Sequence, residues 1–199
     1  MSDTVLKTPE HTVPKAFTRA QLDWLPWLEP LAVDALTPRH VASLVDAARV
    51  KSPYFRLLAR DPDALEARTR TDKDIFYNPD AGLPRAEREL AAAATSRFNG
   101  CLYCASVHAR HAATYSKRED DVQRLLDAGV TAELGERWNA IVAASVALTA
   151  TPSSFGPEHV ERLRRAGLDD LAISDVIHAA AFFNWANRLM LSLGEPATT

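Results

Sequence analysis

Apolar residues recur along this chain at helical rather than strand spacing. Val41, Leu44, Val45 and Ala48 follow Thr37-Pro38, a capping residue ahead of a proline suited to a first helical turn. Ser52-Pro53 and Asp61-Pro62 open short helices in the same way. Thr18-Arg19-Ala20-Gln21 has the form of a capping box and leads into an aromatic segment, Leu22 to Leu31, which is expected to be helical. From about Thr69 to Gly82 the pattern lapses into a polar connector containing Asn78-Pro79-Asp80. Pro84 then starts a helix through Phe98, and Asn99-Gly100 breaks it. A further helix begins at or just before Cys101. Ser116-Lys117-Arg118-Glu119 reads as another capping box, for a helix that Gly129 closes. Thr131 to Thr149 reads as a long helix, residues 151–157 as a loop, and a short helix ends at Gly167. The last helix runs from about Asp169 to Leu193. Strand alternation is not convincing anywhere, so the predicted fold class is all-α, a single compact domain.

Composition narrows the function classes. The 199 residues carry 23 Lys+Arg against 26 Asp+Glu, a net charge of -3, and 47% hydrophobic residues. This balance suits a soluble globular protein and gives nucleic acid no basic surface to bind. No apolar run is long enough to span a bilayer, and the first residues lack the apolar stretch of a signal peptide. The expectations are a cytoplasmic protein with no membrane and no nucleic-acid partner.

Both cysteines fall within Cys101-Leu102-Tyr103-Cys104, with His108 following. In a reducing compartment such a pair points to catalysis or metal binding rather than to a permanent crosslink. At about 100° per residue, Cys101, Cys104 and His108 lie within roughly 60° of arc, with His111 near the same stripe. Residues at i and i+3 sit about 5–6 Å apart, a spacing that permits a reversible disulfide. At a helix start, free N–H groups and the helix dipole favour a thiolate. His108, one turn beyond Cys104, can handle protons. Tyr103 projects roughly opposite this face, where packing is its expected role. Zinc held by Cys101, Cys104, His108 and His111 is a rival reading, although one helix would struggle to surround the ion. Glu89, twelve residues before Cys101 in an alanine-rich helix, would by default be solvated, but the small alanines permit it to be held against the thiol helix.

The run Leu83-Pro84-Arg85-Ala86-Glu87-Arg88-Glu89, followed by Asn99-Gly100-Cys101-Leu102-Tyr103-Cys104-Ala105-Ser106-Val107-His108, resembles the core of the alkyl hydroperoxidase AhpD family within the carboxymuconolactone decarboxylase superfamily. The match covers roughly Pro84 to Ala128. Phe182-Phe183-Asn184-Trp185-Ala186-Asn187-Arg188 resembles the peroxidase-related branch. The resemblance implies an AhpD-like helical bundle that assembles into homotrimers or homohexamers, with residues 1–83 packing on a core of residues 84–199. It implies that Cys104 attacks a hydroperoxide, that Cys101 resolves the sulfenic acid to a disulfide, and that Glu89 and His108 relay protons. The implied partners are hydrogen peroxide or an organic hydroperoxide and an external dithiol, lipoyl- or thioredoxin-like, with no bound cofactor and no metal. Tyr103 departs from the family pattern, which has a histidine between the cysteines. A general thiol–disulfide oxidoreductase or redox sensor, and a zinc-binding assembly module, are the alternatives. The superfamily's decarboxylase or lactone chemistry leaves the CxxC unexplained. Asn184, Asn187 and Arg188 are expected in a buried polar network or subunit contact, Phe182, Phe183 and Trp185 as possible walls of a substrate pocket, and His178 as structural. Trp24, Leu25, Trp27 and Leu28 are expected to cover the core or a partner subunit.

Overall fold

The computed structural model describes residues 5–8 and 10–198. Its centre is one helix, α4 (Arg85–Phe98), touched by five others: α3 (Pro62–Tyr77), α5 (Leu102–Ser116), α6 (Glu119–Ala128), α7 (Glu136–Thr149) and α9 (Asp170–Leu193). The reason is in its sequence. Ala91, Ala92, Ala93 and Ala94 are fully buried, and side chains this small let neighbouring helices approach from every side. Every residue from Glu87 to Ser96 is buried. Most of their polar groups find partners, as buried polar groups usually do, although Arg88 Nε has none. Glu87 accepts two 2.8 Å hydrogen bonds from Arg137, Arg88 donates to the Ile75 carbonyl at 2.6 Å, and Ser96 donates to the Ala92 carbonyl at 2.7 Å. Leu90, Leu125, Ile141, Leu163 and Val176 complete the main core from α4, α6, α7, α8 (Pro157–Arg165) and α9.

Two short helices precede this bundle. Thr37 caps α1 (Pro38–Ser43) as predicted, accepting from the His40 N–H, and α2 (Pro53–Leu58) also begins on its proline. Asp61 caps α3 by accepting from the Ala64 N–H. That helix is longer than the sequence pattern suggests. Residues 69–77, expected as connector, continue it for two more turns because Leu65, Thr69 and Phe76 form its buried stripe. A threonine and charged residues interrupt the apolar pattern without interrupting the helix.

The all-α expectation also needs correcting in one place. The aromatic segment expected to be helical holds a strand, β1 (Leu22–Pro26), paired antiparallel with β2 (Gly194–Thr198). Pro26 and Pro30 oppose a helix there, and the Thr18 hydroxyl accepts from the Ala20 N–H in a turn rather than capping a helix. The register places Leu22 opposite Thr198 and Trp24 opposite Pro196, with Leu22 and Trp24 facing inward. The Ser116 box fails similarly. Ser116 ends α5, Lys117 takes a left-handed conformation with φ 60°, and Arg118 precedes α6 without a side-chain cap. The helix expected from Thr131 starts at Glu136, after Gly135 at φ 87°. Among the described residues, no helix is long and apolar enough to cross a membrane.

Candidate active site

The chain leaves α4 through Asn99 and Gly100, whose φ of 76° suits glycine, and re-enters a helix at once. Cys101 is the N-cap of α5, its own N–H bonded to the Ser96 carbonyl at 2.9 Å. This tight turn fixes both cysteines against the end of α4. Cys101 is 1% exposed and Cys104 5% exposed, and both are free thiols.

Their environments differ. The Cys104 thiol donates a hydrogen bond to Cys101, which pulls the Cys101 pKa below the ordinary cysteine value. Burial opposes this, while the backbone N–H groups of Cys104 and Tyr103 add to it. Cys104 is pushed well above its ordinary value, first by that same bond to Cys101 and then by burial. Asn187 donates to the Cys104 sulfur, and the Arg68 guanidinium attracts its negative charge; both act in the opposite direction without reversing it. Of the two thiols, Cys101 is therefore the easier to ionise and Cys104 the harder.

Glu89 is not solvated surface. It is 1% exposed on α4, and its Oε2 lies 2.6 Å from His108 Nδ1 on α5. Its other oxygen accepts from Arg85 Nε at 3.2 Å. The Arg85 guanidinium is itself held over the Tyr77 and Tyr115 rings at 4.1 and 4.4 Å. The His108 ring packs between Phe183 on α9 and Phe76 on α3, with centroids at 4.0 and 5.2 Å. One face of the dyad is thus anchored by charge and the other by aromatic packing. Glu89 fixes the imidazole through Nδ1, leaving Nε2 to exchange a proton.

Cys104 and His108 line one cleft of about 780 Å³, open mouth included, together with Tyr54, Phe76 and Phe183. That size admits an organic molecule as well as hydrogen peroxide. Tyr54 packs edge-on against Trp24 at 5.2 Å, and burial raises its hydroxyl pKa. Tyr103 also borders the cleft, correcting the expectation that it points away. A residue one position before Cys104 turns aside by only about 100°, and the cleft is wider than that arc. Burial likewise raises the Tyr103 pKa. His111 lines the cleft with its pKa lowered, mainly by burial.

The α9 residues separate into two groups. Asn187 is fully buried and donates to Ser96 Oγ at 3.0 Å, while Asn99 donates to Asn187 and Asn184 at 3.1 and 3.2 Å. This is the buried network expected there, and its contact with Cys104 gives Asn187 a place in the site. Phe183 lines the cleft and Phe182 is buried beside the cysteines, but Trp185 is 45% exposed and bounds nothing. Arg188 is exposed, and His178 lies outside the cleft, exposed on α9. Among the described residues, no group of three or more His, Cys, Asp or Glu is arranged to hold a metal ion. Phe76 escaped the sequence reading because residues 69–77 looked like connector, and Arg68, in the part expected to be helical, carried no local signal of a role. The spacing of Leu65, Thr69 and Phe76 was the available signal.

Residues 62–147 match the carboxymuconolactone decarboxylase family. No curated protein sequence matches the chain. Among solved structures, an uncharacterized peroxidase-related protein from Ralstonia eutropha JMP134, described as an alkylhydroperoxidase AhpD core, aligns with a TM-score of 0.71. The two share 24% identity over 83% of this chain and 88% of that one. A peroxidase-related protein from Silicibacter sp. TM1040 aligns at 0.67 and 22% identity, covering 84% and 91%. The debrominase Bmp8 aligns at 0.62 and 19% identity, covering 82% and 88%. The fold is shared across all three, and the family match runs from the start of α3 into α7 around the dithiol turn. The chain therefore has the AhpD-like fold, and its residues 62–147 carry the carboxymuconolactone decarboxylase family match.

Proposed function

We propose that the protein is a thiol-dependent peroxidase that reduces hydroperoxides at Cys104 and passes through a Cys101–Cys104 disulfide. The observation that carries this reading is the pair of free, buried thiols at the start of α5, with Cys104 lining the same cleft as a histidine clamped by Glu89. Cys104 takes the attacking role because it faces the cleft, whereas Cys101 does not line it. Attack requires the Cys104 proton to leave, either across the hydrogen bond to Cys101 or to His108, whose resulting charge Glu89 stabilises. The Cys104 thiolate displaces alkoxide from ROOH and becomes a sulfenic acid, and the alkoxide takes up that proton to leave as ROH. Cys101 then attacks the sulfenic sulfur, forming the disulfide and releasing water. An external dithiol returns two electrons and two protons, becoming a disulfide itself.

The AhpD-like neighbours support this reading by name, but the debrominase shows that the fold also carries other reactions. The residues of this site discriminate further. A general oxidoreductase acting on protein disulfides needs a sulfur that a macromolecule can reach, and burial of both cysteines opposes that. The same burial favours a slender lipoyl-type donor over a thioredoxin-like one.

Steady-state peroxide consumption with a dithiol donor tests the proposal. Cys104→Ser is expected to abolish turnover. Cys101→Ser is expected to stop after one event, leaving a sulfenic acid that a dimedone-type reagent traps. Full activity in Cys104→Ser would overturn the assignment.

A further inference from the structure

The same cleft also holds a group of charges that the proposed peroxide chemistry does not use. Arg49, Arg68 and Asp72 line it together. The Arg68 side chain is only 8% exposed, with its guanidinium packed against the Phe55 and Phe182 rings at 5.4 and 5.3 Å. Arg49 also packs over the Phe55 ring, at 4.7 Å. Asp72 is shared between them, accepting from Arg49 Nη2 at 3.2 Å and lying 3.3 Å from Arg68 Nη1 without hydrogen-bond geometry. Three buried donors are left with no acceptor: Arg68 Nε, Arg68 Nη1 and Arg49 Nη1. Two guanidiniums against one carboxylate leave one uncompensated positive charge, which is costly to keep away from water unless something pairs with it.

We propose that Arg68, assisted by Arg49, is a carboxylate subsite, so that the molecule entering the cleft carries an acid group besides its reacting end. This rests on the reading of the cleft as the place where a reactant meets Cys104. A carboxylate supplies the missing acceptors with two oxygens, and its single charge balances the cluster. Phe55, Phe76 and Phe183, which line the same cleft, suit a hydrocarbon segment of that molecule. Arg68 also attracts the charge of Cys104, so neutralising Arg68 on binding couples ligand entry to the thiol. The acid can belong to the hydroperoxide or to the dithiol.

Calorimetric titration of the reduced protein with octanoate and with octanamide separates the subsite from catalysis. Octanoate is expected to bind at least about tenfold tighter. Arg68→Met, which preserves packing between the two rings, is expected to erase that preference, and Arg68→Lys to keep part of it. Equal affinity for the two probes, binding of neither, or a preference untouched by both substitutions would overturn the proposal. The wild-type comparison decides the matter even where a variant does not fold. Turnover then locates the acid. With dithiothreitol as donor, a hydroperoxy acid is compared with its methyl ester; with cumene hydroperoxide, dihydrolipoate is compared with dihydrolipoamide. A lower KM for the acid in one pair assigns the carboxylate to that reactant, and no difference in either pair counts against the subsite. Tight octanoate binding with no peroxide turnover at all would instead defeat the peroxidase reading and leave the subsite standing.

Discussion

The two thiols are unequal because one ends a turn and the other lies inside a helix. Cys101, at the N-cap of α5, is eased toward the thiolate chiefly by the Cys104 thiol beside it, whereas that same pairing and burial hold Cys104 protonated to higher pH. The direction of each shift yields a titration with a definite sign. As pH rises, the first thiol to ionise should be Cys101, below the ordinary cysteine range. In Cys104→Ala the largest cause of that depression is gone, so the step moves up. In Cys101→Ala the low step disappears, and Cys104 ionises at a lower pH than in the wild type, since its largest raising cause is removed, while burial still holds it high. Ultraviolet thiolate absorbance against pH reads all three curves. A low step surviving in Cys101→Ala would show that the charge rests on Cys104. The spacing in the sequence put the two cysteines and His108 together, and the alanines around Glu89 allowed its burial. Nothing local revealed Asn187 as a donor to Cys104, because that contact joins α9 to α5.

At the scale of elements, the helices were legible wherever a cap or a proline marks a start, as at Thr37, Pro53 and Pro84. The strands were not, because β1 and β2 come from opposite ends of the chain and neither has an alternating pattern strong enough alone. Their pairing closes the back of the site: Trp24 donates from Nε1 to the Met190 carbonyl at 3.4 Å and packs in the cluster that holds Cys101 and Cys104. Gly194 makes the junction of α9 and β2 possible. A Cβ there would sit 2.3 Å from the Leu25 carbonyl oxygen and 2.4 Å from the Trp24 ring. Backbone cannot yield as a flexible side chain would. Gly194→Ala is therefore expected to destabilise the protein by about 1–3 kcal/mol, with a lower Tm and faster alkylation of both cysteines. An unchanged Tm would show that the terminal strand pair does not brace the site.

Across the whole molecule, the cleft draws on α2, α3, α4, α5 and α9, so no single segment of sequence displays it. In the proposed reading the α4–α5 turn supplies the reacting groups, and the other helices supply the walls and the charged subsite. The central claim is that this turn converts one hydroperoxide into one disulfide. Intact-mass and peptide analysis of the reduced protein after a single equivalent of cumene hydroperoxide tests it most directly. The account predicts loss of two hydrogens per chain, a Cys101–Cys104 crosslink in the peptide that contains both, and reversal by dithiol. Both thiols remaining free while the peroxide persists, or oxygen appearing on Met190 in place of the crosslink, would contradict it.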